Sequence, residues 1–382
     1  MIEKGAVMAS RLKALAISLC LALLPFSPAT PVQASPASAS TLQNGADVSW
    51  LPEIERAGSK FYDARGRKID PLVLMKQSGL KVARVRLWVQ PPDGRSSINE
   101  VLALAKRIKK AGLAFVLDFH YSDWWADPGS QTTPISWQGL NHSQLEQKIN
   151  EYTTATLARF ALQKTSPQWV QVGNEIANGM LWPTAKLNTW SNEEFKRLVG
   201  LLNSASSAVR SSAGNPKVMI HLETGGDSAK TKSWLSMALA NGLTAPDAIG
   251  LSYYSQWGGP LTNLEKTISV VTDEFNLNVA IAETAYPNTR TSPTKQVLDA
   301  TKAPLPGFSI SPRGQAAYAT KSCAVLRSKA GSKSVGVWWW EGFSPNKAKL
   351  QDELGPSYVS SSSLVTMAGR ANAAMLALGK CK

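Results

Sequence analysis

Short runs of apolar and β-branched residues alternate with longer segments of helical periodicity along most of the chain. The apolar runs are nearly continuous, which is typical of parallel strands that are buried on both faces. In one of the longer segments, Val101 to Ile108, apolar residues recur at helical spacing and Gly112 follows as a stop signal. The alternation occurs eight times, and it predicts a parallel sheet whose strands are joined by helices.

The predicted strands are Gly45–Trp50, Val82–Trp88, Ala114–His120, Gln168–Asn174, Val218–Glu223, Ala248–Tyr253, Val279–Glu283 and Val335–Trp340. The predicted helices include Ile98–Ala111, Gln144–Gln163, Asn192–Ser212, Leu261–Phe275 and Arg313–Ser328. Eight such units favour a single (β/α)8 TIM-barrel domain over residues 44–382. A doubly wound open sheet is the alternative. It is disfavoured because Asp47-Val48-Ser49-Trp50 leads to Pro52 and not to a glycine-rich phosphate loop.

The N-terminal segment has the pattern of an export signal. Arg11 and Lys13 precede an apolar run from Ala14 to Leu24, and Val32-Gln33-Ala34 offers small residues for cleavage. The run is too short to span a bilayer, which needs about 20 residues. We therefore expect a signal peptide over 1–34, a flexible lead-in over 35–43, and a secreted protein (extracellular or periplasmic) that is not held in a membrane after cleavage.

Composition narrows the class of protein further. The 382 residues include 41 Lys and Arg against 27 Asp and Glu, a net charge of +14, and 43% are hydrophobic, which excludes an intrinsically disordered chain. The basic residues are scattered and no nucleic-acid-binding motif accompanies them, so we expect no nucleic-acid partner. A solvated basic surface is the simplest interpretation, and attraction to an anionic polymer is the alternative. We expect a monomer.

Cysteine and histidine spacing argues against a metal site. Cys20 leaves with the signal, and the remaining pair, Cys323 and Cys381, predicts one disulfide in an exported chain. The three histidines, His120, His142 and His221, are too widely spaced to indicate a metal triad. We expect no metal and no cofactor.

Carboxylates stand at several predicted strand ends, where TIM-barrel chemistry gathers. Glu175 follows Gly-Asn after an apolar strand, and Glu283 ends the run Val-Ala-Ile-Ala-Glu. Two carboxyl groups flanking a bond, surrounded by Trp and Tyr rings, are what glycoside hydrolysis requires. We predict that Glu175 and Glu283 are the catalytic pair, that Glu223 is structural or binds hydroxyls, and that Glu341 forms a salt bridge.

Other residues at the strand ends are predicted to bind the sugar chain. Asn174 is suited to a sugar 2-hydroxyl, and Arg86 is predicted to keep Glu283 ionised. Aromatic rings offer flat apolar surface to sugar C–H faces. The remaining candidates are Asp47, Trp88, His120, Trp125, Trp182, Tyr254, Trp257 and Trp340.

Several stretches of the sequence resemble a known family. They include LDFHYSDWWADPG from Leu117, VQVGNEIANGMLWP from Val170, IGLSYY from Ile249, AETAYP from Ala282 and GVWWWE from Gly336. GADVS from Gly45 and RVRLW from Arg84 also match. In this set and order, the chain resembles the arabinogalactan endo-β-1,4-galactanases of glycoside hydrolase family fifty-three, across nearly its whole length.

The resemblance implies a retaining hydrolase on a (β/α)8 barrel. It also implies that Glu175 is the acid/base, that Glu283 is the nucleophile, and that the substrate is the β-1,4-linked galactan of pectic type I arabinogalactan. The chain departs from the family at Val89-Gln90, at Ser255 to Gly259 and at Gly342-Phe343. We expect these departures to affect outer sugar subsites and leave the central chemistry unchanged.

Other functions remain open at this stage. An endo-mannanase or cellulase would share the pairing of Asn-Glu with a second Glu. A non-catalytic glycan-binding barrel is disfavoured because sugar binding alone needs neither an acid nor a nucleophile. A structural cell-wall protein is disfavoured by the absence of sequence repeats.

Overall fold

The computed structural model describes residues 42–290, 307–344 and 361–381. Eight parallel strands form a closed barrel in which each strand pairs with its neighbours in chain order. The first strand closes the barrel, because Gly45 pairs with Val82 on one side and with Trp338 on the other. The fold is the predicted (β/α)8 TIM barrel. The predicted signal peptide and nearly all of the lead-in, residues 1–41, lie outside the described residues.

The barrel strands are β1 Gly45–Asp47, β2 Val82–Leu87, β3 Ala114–Phe119, β4 Trp169–Val172, β5 Lys217–Leu222, β6 Ala248–Ser252, β7 Asn278–Thr284 and β8 Ser334–Trp339. Two short hairpins stand outside the barrel, Phe61–Tyr62 with Lys68–Ile69 and Gly179–Met180 with Ala185–Lys186. Each of the eight barrel strands begins within one residue of the predicted first residue.

The described helices are α1 Leu51–Arg56, α2 Pro71–Gln77, α3 Ile98–Lys110, α4 His142–Leu162, α5 Asn192–Arg210, α6 Ser228–Ala240, α7 Ser255–Gly258, α8 Leu261–Ser269, α9 Pro312–Ala330 and α10 Ala373–Lys380. Local sequence explains several of their starts. Ser191 and Glu194 form a reciprocal capping box at α5, and the side chain of Asp227 accepts a hydrogen bond from Lys230 N at α6. In the described part of the chain, no helix is long and apolar enough to cross a membrane.

The strand ends and one helix differ from prediction for local reasons. The first strand was predicted to reach Trp50, but it ends at Asp47, whose side chain accepts a hydrogen bond from Ser49 N and turns the chain into α1. The helix predicted over Leu261–Phe275 is α-helical only to Ser269, and a short π-helical segment continues it to Glu274. Both α1 and α2 are short, and helical periodicity predicted neither of them.

The barrel interior is built in layers, because every second strand residue points inward. The lower layer is apolar and includes Val82, Val116, Trp169 and Met219. Two residues further along four of the same strands, the inward positions are polar: Arg84, Asp118, Gln171 and His221. The polar layer lies at the carboxyl end of the strands and forms the floor of the site described below.

Cys323 on α9 and Cys381 at the end of α10 are joined by a disulfide, with their Cα atoms 6.2 Å apart. The two helices pack against each other. The bond fastens the last described residues to the helix that precedes β8, and it closes a loop of 58 residues.

We expect Cys381→Ser to lower the free energy of unfolding by about 4 kcal/mol, because it frees a loop that the disulfide holds closed in the unfolded chain. Cys323→Ser and the double variant should lose a similar amount, since any one of the three opens the same loop. Urea unfolding followed by tryptophan fluorescence measures the difference. An unfolding midpoint equal to that of the unchanged protein would contradict the expectation.

Candidate active site

One arginine, Arg84 on β2, joins side chains from four strands at the carboxyl end of the barrel. Its guanidinium lies 2.9 Å from Asp47 Oδ2, 2.8 Å from Asp118 Oδ2 and 2.8 Å from Glu283 Oε1. It also donates to Gln171 Oε1 at 3.1 Å. The Arg84 side chain is only 2% exposed. Although burial alone would lower the pKa of Arg84, the surrounding carboxylates raise it, so this cation is permanent.

The prediction that Arg86 neutralises Glu283 is wrong. Arg84 occupies that place, and Arg86 pairs with Glu341 Oε1 at 3.1 Å. The Arg86 guanidinium packs against two indoles, 4.4 Å from the ring centre of Trp50 and 4.2 Å from that of Trp125. Arg84 and Arg86 both point inward because they are two residues apart, and Arg84 is the one at the level of Glu283. Arg86 is therefore a buried packing and ion-pairing residue.

Glu283, near the end of β7, is held at both carboxylate oxygens. Arg84 contacts Oε1, and the hydroxyl of Tyr254 donates to Oε2 at 2.9 Å. Burial raises the pKa of Glu283 to about 7, even though Arg84 and the Tyr254 hydroxyl both act to lower it. Desolvation thus outweighs the charge of Arg84, which limits the rise in the pKa of Glu283.

Glu175 is placed by a sharp turn at the end of β4. Gly173 has φ +82°, and a Cβ there would stand 2.7 Å from the Ile176 side chain, so only glycine fits. Glu175 itself adopts a left-handed conformation with φ 52°. This conformation is uncommon for a residue with a side chain and is typical of functional sites. The Gly-Asn-Glu sequence thus ends the strand and turns the carboxyl group into the cleft.

The half-buried side chain of Glu175 lines a cavity of about 610 Å³ together with Glu223, Ser252, Tyr254, Trp257 and Asn263. Burial raises the pKa of Glu175 well above its ordinary value, and the charge of Glu283 adds to the rise. Within the described ranges, Glu175 has no salt-bridge partner, whereas Glu283 has Arg84. Burial and the charge of Glu283 thus both favour the protonated form of Glu175.

Asn174 is fixed by a network that sequence analysis did not anticipate. Its Oδ1 accepts from Arg84 at 2.9 Å and lies 2.9 Å from His221 Nδ1, and its amide donates to the carbonyl of Ala126 at 2.8 Å. His221 Nε2 lies 2.8 Å from the Ser252 hydroxyl. Burial lowers the pKa of His221 well below its ordinary value, so the ring stays neutral. Polar residues at inward strand positions were the available signal for this network.

Two more of the predicted binding residues serve the same floor. Asp47 is paired with Arg84, and His120 Nε2 lies 3.1 Å from Asp118 Oδ2. His120 Nδ1 accepts from Ala126 N at 3.0 Å, so Nε2 carries the proton and donates to Asp118. Burial acts to raise the pKa of Asp118, but Arg84 and His120 outweigh it and hold the pKa below its ordinary value.

The predicted aromatic contacts divide into two groups. Trp88 is fully buried, with its ring centre 4.5 Å from that of Trp124, so its ring offers no surface to a sugar and that prediction is corrected. The other five either line the cavity or keep some exposed surface. Trp257 is 74% exposed, Tyr254 lines the cavity, and Trp125, Trp182 and Trp340 are half-buried.

The two other glutamates predicted at strand ends, Glu223 and Glu341, pair with cations. Glu223 Oε1 lies 3.2 Å from Lys230 Nζ, and Oε2 accepts from Ala177 N at 3.2 Å, directly after the Glu175 turn. Glu341 is buried against Arg86, and burial raises its pKa well above the ordinary value. Across residues 42–290, 307–344 and 361–381, no group of three or more His, Cys, Asp or Glu side chains is arranged to hold a metal ion.

The sequence model of Glycosyl hydrolase family 53 matches residues 43–378. A relative from Cellvibrio japonicus named arabinogalactan endo-beta-1,4-galactanase is 36% identical over 306 residues, 78% of this chain and 79% of the relative. A relative of the same name from Humicola insolens is 33% identical over 304 residues, 78% of this chain and 88% of the relative. The match to the family model thus includes every residue of the site.

Solved structures agree with the sequence matches. A structure described among two fungal beta-1,4-galactanases has a TM-score of 0.78 and 28% identity, covering 89% of this chain and all (100%) of that one. The family 53 catalytic domain of Ignisphaera aggregans has a TM-score of 0.79 and 27% identity, covering 92% of this chain and 98% of that one. A xylanase from Caldicellulosiruptor owensensis, at 15% identity and a TM-score of 0.56, shares the fold alone.

Arg84→Gln should lower the free energy of unfolding by about 3–5 kcal/mol near neutral pH, because it leaves buried carboxylates without their cation. The depressed pKa of Asp118 gives stability that is present above its unfolded-state pKa and lost as the pH falls through the folded-state value. The deficit should therefore shrink on acidification. Urea unfolding at several pH values measures it.

Arg107→Gln is the matched control for that measurement. Arg107 also contacts two carboxylates, Glu55 at 2.6 Å and Asp70 at 3.1 Å, but its side chain is 32% exposed. Its loss should cost less than about 1 kcal/mol. Equal losses in the two variants would show that Arg84 does not hold the floor of the site together.

Proposed function

Because the chain belongs to glycosyl hydrolase family 53, we propose that it is a retaining endo-β-1,4-galactanase in which Glu175 is the acid/base and Glu283 the nucleophile. The proposed substrate is the internal β-1,4-galactosidic bond of pectic galactan, as in type I arabinogalactan. The names of the relatives from Cellvibrio japonicus and Humicola insolens support the substrate. The different surroundings of the two glutamates support the assignment of roles.

One observation carries the assignment of roles: Arg84 and Tyr254 bind the carboxylate of Glu283, and no cation pairs with Glu175 in the described part of the chain. A nucleophile must be ionised when the substrate arrives, and a general acid must be protonated. The guanidinium and the phenol stabilise negative charge on Glu283, and that charge in turn keeps the proton on Glu175. If the roles were reversed, Glu283 would have to be the protonated group although it lies beside the cation Arg84.

The reaction then proceeds in two displacements. Glu283 attacks the anomeric carbon while Glu175 gives its proton to the departing glycosidic oxygen, so that a galactosyl ester forms on Glu283. Glu175, now ionised, takes a proton from water, and the water oxygen breaks the ester at the opposite face of the sugar. Two inversions leave the β configuration unchanged. Asn174, which is fixed by Arg84 and His221, is the proposed partner of the sugar 2-hydroxyl.

The cavity beside Glu175 is the proposed site of the leaving sugars, because the group that protonates the departing oxygen lines it. Trp257 and Tyr254 provide apolar ring surface there. Trp125, Trp182 and Trp340 are the remaining proposed sugar contacts, while Asp47 and His120 act by fixing Arg84 and Asp118. We also infer that the protein acts as a monomer, outside the cytoplasm, after removal of residues 1–34, as the N-terminal pattern indicates.

The purified protein should release reducing ends from linear β-1,4-galactan and leave β-1,4-mannan and carboxymethylcellulose essentially intact. The axial 4-hydroxyl of galactose turns its chain differently from those of mannan and cellulose, so a cleft shaped for one fits the others poorly. A reducing-sugar assay on the three polymers measures this. Release from mannan or cellulose without release from galactan would refute the proposed substrate.

Azide should rescue the two glutamate variants with opposite stereochemistry when the substrate carries an activated leaving group. In Glu283→Gly, azide takes the place of the lost carboxylate and attacks directly, giving an α-azide. In Glu175→Gly, the galactosyl ester still forms and azide opens it by a second inversion, giving a β-azide. Proton NMR of the products distinguishes the two. Exchanged configurations would reverse the assignment, and α-configured sugar from the unchanged enzyme would exclude retention.

A further inference from the structure

Five exposed cationic side chains gather around the hairpin formed by Phe61–Tyr62 and Lys68–Ile69. They are Lys60, Arg65, Arg67, Lys68 and Arg370. We call these five residues the basic corner. The chain as a whole carries a net charge of +14.

The basic corner adjoins the end of the barrel that carries the active site. The Phe61 ring centre is 5.6 Å from that of Phe343, which lies three residues after Trp340. Tyr62 N donates to the carbonyl of Gly369 at 2.9 Å, so the hairpin also packs on the segment after residue 361. Gly342 N donates to the carbonyl of Asp47, the last residue of β1. The hairpin therefore packs on the chain segments that follow β8, at the end of the barrel that carries the active site.

Hydrogen bonds order the turn of the basic corner, and Asp63 is the carboxylate within that turn. Asp63 Oδ1 accepts from Arg65 N and Arg67 N, both at 2.9 Å, and Oδ2 pairs with the side chain of Arg67 at 2.9 Å. The Arg370 guanidinium approaches the same turn, since its Nη2 is 3.3 Å from the place where a Cβ on Gly66 would stand. Asp63 thus pairs with the side chain of Arg67 and orders the turn through the backbone amides of Arg65 and Arg67. Two further carboxylates nearby, Glu55 and Asp70, are engaged by Arg107.

Like charges held together on an ordered turn repel one another, and a polyanion that binds there relieves the repulsion. Arg65, Lys68 and Arg370 are exposed, and guanidinium groups bind carboxylates in a bidentate manner. We propose that the basic corner anchors a uronate-bearing polysaccharide, the acidic type of chain that accompanies neutral galactan in pectin. The choice of this partner rests on the proposed function, because a pectic substrate brings carboxylates close to the cleft.

The test compares binding to polygalacturonate with cleavage of neutral galactan. The corner variant combines Arg65→Gln, Lys68→Gln and Arg370→Gln, and it keeps Arg67 because that side chain orders the turn through Asp63. The control variant removes the same charge elsewhere through Lys106→Gln, Lys110→Gln and Lys321→Gln, three exposed positions on α3 and α9. Affinity electrophoresis at low and high salt measures binding for both variants and for the unchanged protein.

We expect the corner variant to bind polygalacturonate about tenfold more weakly than the unchanged protein at low salt, and the control to change by less than about twofold. High salt should weaken the binding of the unchanged protein. Both variants should keep the kcat/KM of the unchanged protein on linear galactan. Polygalacturonate contains no galactosidic bond, so the binding result stands whether or not galactan is cleaved.

Three results would overturn the proposal. The corner variant could bind polygalacturonate as tightly as the unchanged protein. The control could lose as much binding as the corner variant, which would mean that binding depends on the total charge. The corner variant could lose binding to phosphatidylglycerol vesicles and keep binding to polygalacturonate, which would assign the surface to anionic lipid.

Discussion

The burial of a single guanidinium, that of Arg84, sets the arrangement of the site. Removing an arginine from water costs several kcal/mol unless charges and hydrogen bonds compensate it. Here Asp47, Asp118 and Glu283 supply the charge, and Gln171 with Asn174 supplies further acceptors. These partners come from β1, β3, β7, β4 and the turn after β4. The cation therefore fixes the relative positions of strands that are far apart in the sequence, and with them the position of Glu283.

The layered barrel explains why such a polar cluster can exist in the interior. Below it, apolar side chains such as Val82, Val116 and Met219 close the barrel and exclude water. Above it, the cleft opens toward solvent at the carboxyl ends of the strands. The polar layer lies at the boundary, where each charged group has a partner and where desolvation is strong enough to move pKa values. Burial raises the pKa of both Glu175 and Glu283, and among the described residues only Glu283 of the two forms an ion pair, with Arg84.

The two arginines of β2 have different roles because they lie in different layers of the barrel. Arg84 and Arg86 share the inward face, so the sequence pattern treats them alike. Their heights in the barrel differ by one layer. At the level of Arg84 the neighbours are carboxylates, whereas at the level of Arg86 they are the indoles of Trp50 and Trp125 and the carboxylate of Glu341. The prediction that joined Arg86 to Glu283 was wrong because a sequence carries no information about height across the barrel.

The sequence by itself determined the number and order of the strands, the closed barrel, the Gly-Asn-Glu turn and the resemblance to family 53, because each depends on local periodicity or on a contiguous motif. Tertiary structure alone decided the partner of Glu283, the burial of Trp88 and the network through Gln171, His221 and Ser252. These features depend on which residues of different strands reach the same layer. That layer is set by the stagger of the closed barrel, and no single segment of the chain specifies the stagger.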